Sequence, residues 1–179
     1  NPRWFGLIED AAGIRDLVRE MFGEDSGNAT AKKGAKAWAE TAEQMRQRFN
    51  RAGGDVGRID TWGMPQSHDM RLVLKAGKQA WVDYVMARAD RAAYVRDDGL
   101  QMGEPEIRET LGAAWETISS DGLNKIKPGA TQGKGMRAKR GSESRVIHFK
   151  DADAWLDYHK EFSGRGIYAT ITGHVAQLS

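Results

Sequence analysis

A chain of 179 residues, 40% hydrophobic and 29% charged, carries enough apolar material for one domain with a sizeable core. Its net charge of +2 is too small by itself to imply a nucleic-acid partner, and the absence of cysteine excludes disulfides, thiolate catalysis and thiolate metal sites. No apolar run approaches the ~20 residues that a membrane-spanning helix needs.

In chain order, Leu7, Ile8, Ala11, Ile14, Val18, Met21 and Phe22 follow three-and-four spacing and predict an amphipathic helix ending near Gly23. Glu24 to Gly34 is small and polar and reads as a linker. Ala35, Trp38, Ala42, Met45 and Phe49 then trace one face of a second helix, ending at Asn50 to Gly54. Residues 1–34 are thus expected to be an N-terminal helix with a linker, and 35–179 a helical domain. Both termini look cut, so a piece of a longer polypeptide is expected.

The next stretch, Gly53 to Asp69, has no periodicity but a dense set of glycines, acids and titratable groups. Gly53, Gly54, Asp55, Trp62 and Pro65 predict an ordered loop pinned to the fold by the tryptophan. Ser67 is the expected N-cap of a short helix over His68 to Ala76, closed by Gly77. A fourth helix is built on Trp81, Val85, Ala89 and Ala92 and stops at Asp97-Asp98-Gly99. Pro105 opens a fifth through Ile107, Leu111, Ala114, Trp115 and Ile118.

Leu123 to Ser144 is a second long irregular stretch, glycine-rich and basic, expected to be mobile. Arg145 to Phe149 is β-prone and reads as an isolated strand or an extended connector. Asp151 is the expected cap of a helix carrying Ala154, Trp155, Tyr158 and Phe162, and a last helix runs from Ile167 to Leu178. The fold class is therefore mainly α: a single helical domain of about seven helices, two long loops and at most a short strand near 145–149.

The chemical motifs are sparse. None of His68, His148, His159 and His174 forms a close ligand pair at helical spacing, so a metal site would have to assemble from distant segments, for example His68 and Asp69 with His148 or His159. The plainer reading makes the histidines hydrogen-bonded structural groups, His174 above all. Asp151-x-Asp153 with Asp157 lacks the glycine and glutamate of a calcium loop. Gly129 to Lys134 is one residue short of a phosphate loop, with Gly135 where a Ser or Thr must meet magnesium. Asp55 and Asp60 beside Arg58 could work as an acid–base pair, though turn-stabilising hydrogen bonds are the commoner use. Lys125, Lys127, Lys134, Arg137, Lys139 and Arg140 could contact phosphates, without the aromatics that stacking on bases needs.

Gly53-Gly-Asp-Val-Gly-Arg-Ile-Asp-Thr-Trp-Gly-Met-Pro-Gln-Ser-His-Asp69, with Arg145-Val-Ile-His-Phe-Lys-Asp-Ala-Asp-Ala-Trp155 downstream, resembles a region of long phage and prophage proteins regarded as internal virion or other structural components. The resemblance runs from about Ala37 to the end. Proteins of that kind often carry a histidine before the arginine of the second motif, where this chain has Ser144. The resemblance implies a non-enzymatic assembly module of a virion or DNA-ejection protein, without cofactor or metal. Its partners would be other virion proteins or further copies of itself, and its place the virion or the host cytoplasm. A metal-binding or hydrolytic domain centred on Asp60, His68, Asp69 and His148, and nucleic-acid contact through residues 125–140, are the alternatives.

Overall fold

The computed structural model describes residues 11–54, 65–96, 98–122 and 146–178, without the side chains of 172 and 174–178. These residues are mainly helical, as expected. Seven α-helices are described: α1 (Ala11–Met21), α2 (Ala29–Arg51), α3 (Met70–Ala76), α4 (Lys78–Met86), α5 (Glu104–Ser119), α6 (Ala152–Phe162) and α7 (Ile167–Leu178). One 3-10 turn, among the described residues, covers Arg91–Ala93. Among the described residues extended pairing is confined to two isolated antiparallel bridges, Ala89 with Phe149 and Val95 with Gln101. No helix among the described residues is long and apolar enough to cross a membrane.

The chain divides into two compact units, one of residues 1–66 with 165–179, the other of 67–164. In the first, α2 packs along α1 and against α7, with Val18, Ala31, Ala35 and Ala42 buried. The expected linker at Glu24 to Gly34 is half helix: α2 starts at Ala29, six residues early. Asn28 is its N-cap, accepting from the Thr30 and Ala31 amides at 3.0 and 3.2 Å. The Asn28 side-chain Nδ2 also donates to the Asp16 carboxylate at 2.9 Å, fixing the turn to α1. With that cap made, the alanines that follow propagate a helix readily.

In the second unit α3 packs on α4, α5 and α6, and α4 on α5. Trp81, Val85, Ile107, Leu111, Trp155 and Tyr158 form its centre. The expected Ser67 cap is corrected. Helix α3 starts two residues later, with Asp69 accepting from the Arg71 and Leu72 amides at 2.8 and 3.4 Å. Helix α4 is also shorter than periodicity suggests. Ala89 leaves it to bridge Phe149, so that the Asp90 amide donates to the His148 carbonyl and the Lys150 amide to the Arg88 carbonyl. That pairing answers the described part of the β-prone stretch, Val146–Phe149: an extended connector with a single bridge. Pro105 takes the second position of α5, whose Gly103 amide donates to Glu106 at 2.8 Å. The Trp115 indole N–H donates to the Val73 carbonyl at 3.1 Å, tying α5 to α3. Asp151 caps α6 as expected, accepting from the Ala154 amide at 2.7 Å.

Candidate functional site

The ends of the second unit meet where the first motif runs into α3 and α6 leaves its last turn. The Asp69 amide donates to the Phe162 carbonyl at 2.7 Å, joining the segment before α3 to the end of α6. The Asp69 carboxylate caps α3 and lies against Gly164, whose φ is +63°. One residue earlier, His68 Nδ1 lies 2.8 Å from the Tyr158 hydroxyl.

Tyr158 is the hub of an aromatic cluster. Its ring meets those of His68 and Trp81 edge-on, with centroids 5.6 and 6.2 Å away, and those of Phe149 and Phe162 tilted at 5.1 Å. Such geometry suits the aromatic quadrupole and leaves little water around the phenol. Burial pushes the Tyr158 phenol well up, the Trp81 indole beside it pulling weakly the other way. The indole nitrogen of Trp81 itself is buried, outside hydrogen-bonding geometry. Burial lowers His68 to about 4. At neutral pH the pair is therefore an uncharged imidazole and a protonated phenol. A base that weak, facing a phenol that does not ionise, has little capacity to move protons.

The other predicted residues take separate places. His148 is gripped by Tyr94: the rings meet edge-on at 5.1 Å, and the His148 amide donates to the Tyr94 hydroxyl at 3.3 Å. Burial raises Tyr94 to about 12. His68 and His148 thus serve two different tyrosines. His159 stacks on Trp155 at 4.7 Å, and burial lowers it to about 4. Pro65 is buried; Gly54 sits so close to Phe49 that a Cβ would lie 2.1 Å from its ring. Among the described residues no three histidine or acidic side chains are placed to hold a metal ion. Asp55, Asp60 and Trp62 lie outside the described residues, as do Lys125, Lys127, Lys134, Arg137, Lys139 and Arg140.

Reading the sequence missed Tyr158 and Tyr94 as partners of the two histidines. For Tyr158 the signal was present: a tyrosine on an apolar helix face needs a mate for its hydroxyl. Arg88 was missed as well. Its guanidinium lies 3.6 Å from the Tyr84 ring centroid and reaches Asp157 at 3.2 Å, bracing α4 against α6.

Comparison of the chain with protein-family models, with curated proteins and with solved structures gave no match.

Proposed function

We propose that this chain is a non-enzymatic assembly module of a phage or prophage virion protein, of the structural or DNA-ejection kind, working through contacts with other virion proteins or with further copies of itself. One observation carries the non-enzymatic part: the described groups of both motifs that chemistry would need are spent on internal bonds. Asp69 and Asp151 accept from helix N-terminal amides, and His68 is held by Tyr158. Each of these uses is sufficient reason for the residue to be there. The resemblance of the two motifs to phage structural proteins supplies the setting. The test is mass spectrometry of purified virions induced from a host that carries the gene. Peptides of this chain are expected in the particle at structural stoichiometry; their absence from the particle would overturn the reading.

A further inference from the structure

Helix α2 carries an excess of positive charge that its own stability explains only in part: Arg48 and Arg51, in its last turn, complement the helix dipole, and the lysines at its start do not. It holds six basic residues, Lys32, Lys33, Lys36, Arg46, Arg48 and Arg51, against two acids, Glu40 and Glu43. Its first turn has no acid, and Lys32 and Lys33 follow at once. The dipole of a 23-residue helix favours negative charge at that end, so lysines there oppose it. Asp16 of α1, bonded to the Asn28 cap, offsets part of this, but the lysines themselves run against the local preference, as residues of a binding surface do.

The pairs within the helix leave most of this charge uncompensated. Arg46 and Glu43 form a part-buried pair at 2.8 Å. Lys36 and Glu40 are 3.9 Å apart and largely exposed, a pair worth little. Lys32, Lys33, Arg48 and Arg51 are exposed and make no ion pair among the described residues. Ala31, Ala35 and Ala42 face inward, placing Lys33, Lys36, Arg48 and Arg51 on the outward face, with Lys32 at its edge. The stripe runs most of a helix about 35 Å long, with Arg48 roughly 18 Å beyond Lys36. Between them lie Thr41, Gln44 and Gln47, polar and exposed, and one exposed acid, Glu40.

We infer that the outward face of α2 binds the phosphate backbone of double-stranded nucleic acid without reading its sequence. The occupant follows from charge complementarity and from what the face lacks. Its apolar groups are no larger than alanine, so it can neither stack on unpaired bases nor sink into a lipid interface. Long flexible cations interspersed with amide and hydroxyl donors suit phosphates spaced along a rigid duplex. This surface is distinct from residues 125–140 and does not depend on the assembly reading.

Fluorescence anisotropy of a labelled 25-base-pair duplex of mixed sequence, titrated with the full chain, tests it. Four phosphate contacts predict that affinity falls roughly a hundredfold between 50 and 200 mM salt. Replacing Lys32, Lys33, Lys36, Arg48 and Arg51 with Gln should weaken binding at least tenfold at 100 mM salt and flatten that salt dependence. Replacing Lys134, Arg137, Lys139 and Arg140 with Ala should leave most of the binding. Circular dichroism reports whether the fivefold variant keeps its helix; if it does not, Arg48→Gln with Arg51→Gln alone should still cost severalfold. No duplex binding at 50 mM salt overturns the inference. So does binding unaffected by the α2 variants, binding abolished by the loop variant alone, or tighter binding to single strands, to phosphatidylserine vesicles or to an acidic polypeptide than to the duplex.

Discussion

His68 Nδ1 and the Tyr158 hydroxyl, ninety residues apart in the chain, lie 2.8 Å from each other and join the segment before α3 to the middle of α6. The bond links two elements that sequence reading treats separately, and the aromatic rings around it make both partners expensive to charge.

Acid is therefore expected to loosen the second unit. In the folded state His68 and His159 are both lowered to about 4 from an ordinary 6.5, burial being the cause in each. Between pH 6.5 and 4 the unfolded chain binds more protons than the folded one, so stability falls as pH falls through that window and levels off above it. The loss is on the order of 2 kcal/mol per histidine by pH 4.5. Urea unfolding at pH 7.5, 5.5 and 4.5 measures it. His68→Gln and His159→Gln should each flatten the slope in part, and a slope unchanged by both would show that neither histidine governs it.

Removing one hydroxyl tests the same pair without changing pH. Tyr158→Phe keeps the ring contacts but strands the buried imidazole nitrogen, at a cost of about 1–3 kcal/mol. His68→Gln, made alone and together with Tyr158→Phe, closes a double-mutant cycle. A coupling of roughly 1 kcal/mol is expected from two residues in direct contact. Additive losses would mean that the 2.8 Å bond contributes nothing to stability.

The two aspartates separate a capping role from a chemical one. Asp69→Ala and Asp151→Ala should each cost about 0.5–2 kcal/mol, the range for losing an N-cap oxygen. Asn caps a helix nearly as well, so Asp69→Asn and Asp151→Asn should restore most of that stability. A residue needed as a base or an ion ligand would not tolerate the amide. Thermal melts of the four variants decide between these, and an Asp69→Asn variant as unstable as Asp69→Ala would remove the capping account.

What could be read from the sequence was what is decided locally. The Asp151 cap is one: an Asp directly before an apolar 3.6-residue pattern has few other uses. The helix count and the stop after Phe162 follow from similarly short-range signals. Ser67 and Asp69 are both good caps, two residues apart, and local pattern cannot rank them. The choice falls to Asp69, whose amide is held by the Phe162 carbonyl 2.7 Å away, a contact across most of the second unit. The start of α2 was hidden because small polar residues read as linker until Asn28 is seen bonded to Asp16. Tyr158 and Tyr94 were hidden for the same reason as the Phe162 bond: their partners are set by tertiary packing, which one-dimensional periodicity does not encode.

Two glycines give the sharpest steric test of the junctions. At Gly164 φ is +63°, a conformation that residues with a Cβ adopt at a cost, and an added Cβ would lie 2.6 Å from Asp69 Oδ2. Asp69 has little room to give, since its amide is bonded to Phe162 and its carboxylate to the first amides of α3. Gly164→Ala therefore strains the backbone and disturbs a helix cap together, and should cost about 2–3 kcal/mol. At Gly54 the obstacle is the Phe49 ring, 2.1 Å from where the Cβ would sit, with no positive φ involved. Phe49 can shift, so Gly54→Ala should cost less, about 1–2 kcal/mol, the range for crowding a packed side chain. Combining Gly164→Ala with Asp69→Ala removes the clashing carboxylate, and the double variant should be less destabilised than the sum of the two. Chemical denaturation of the three variants reads this out; strict additivity would show that the Asp69 side chain does not press on residue 164 in solution.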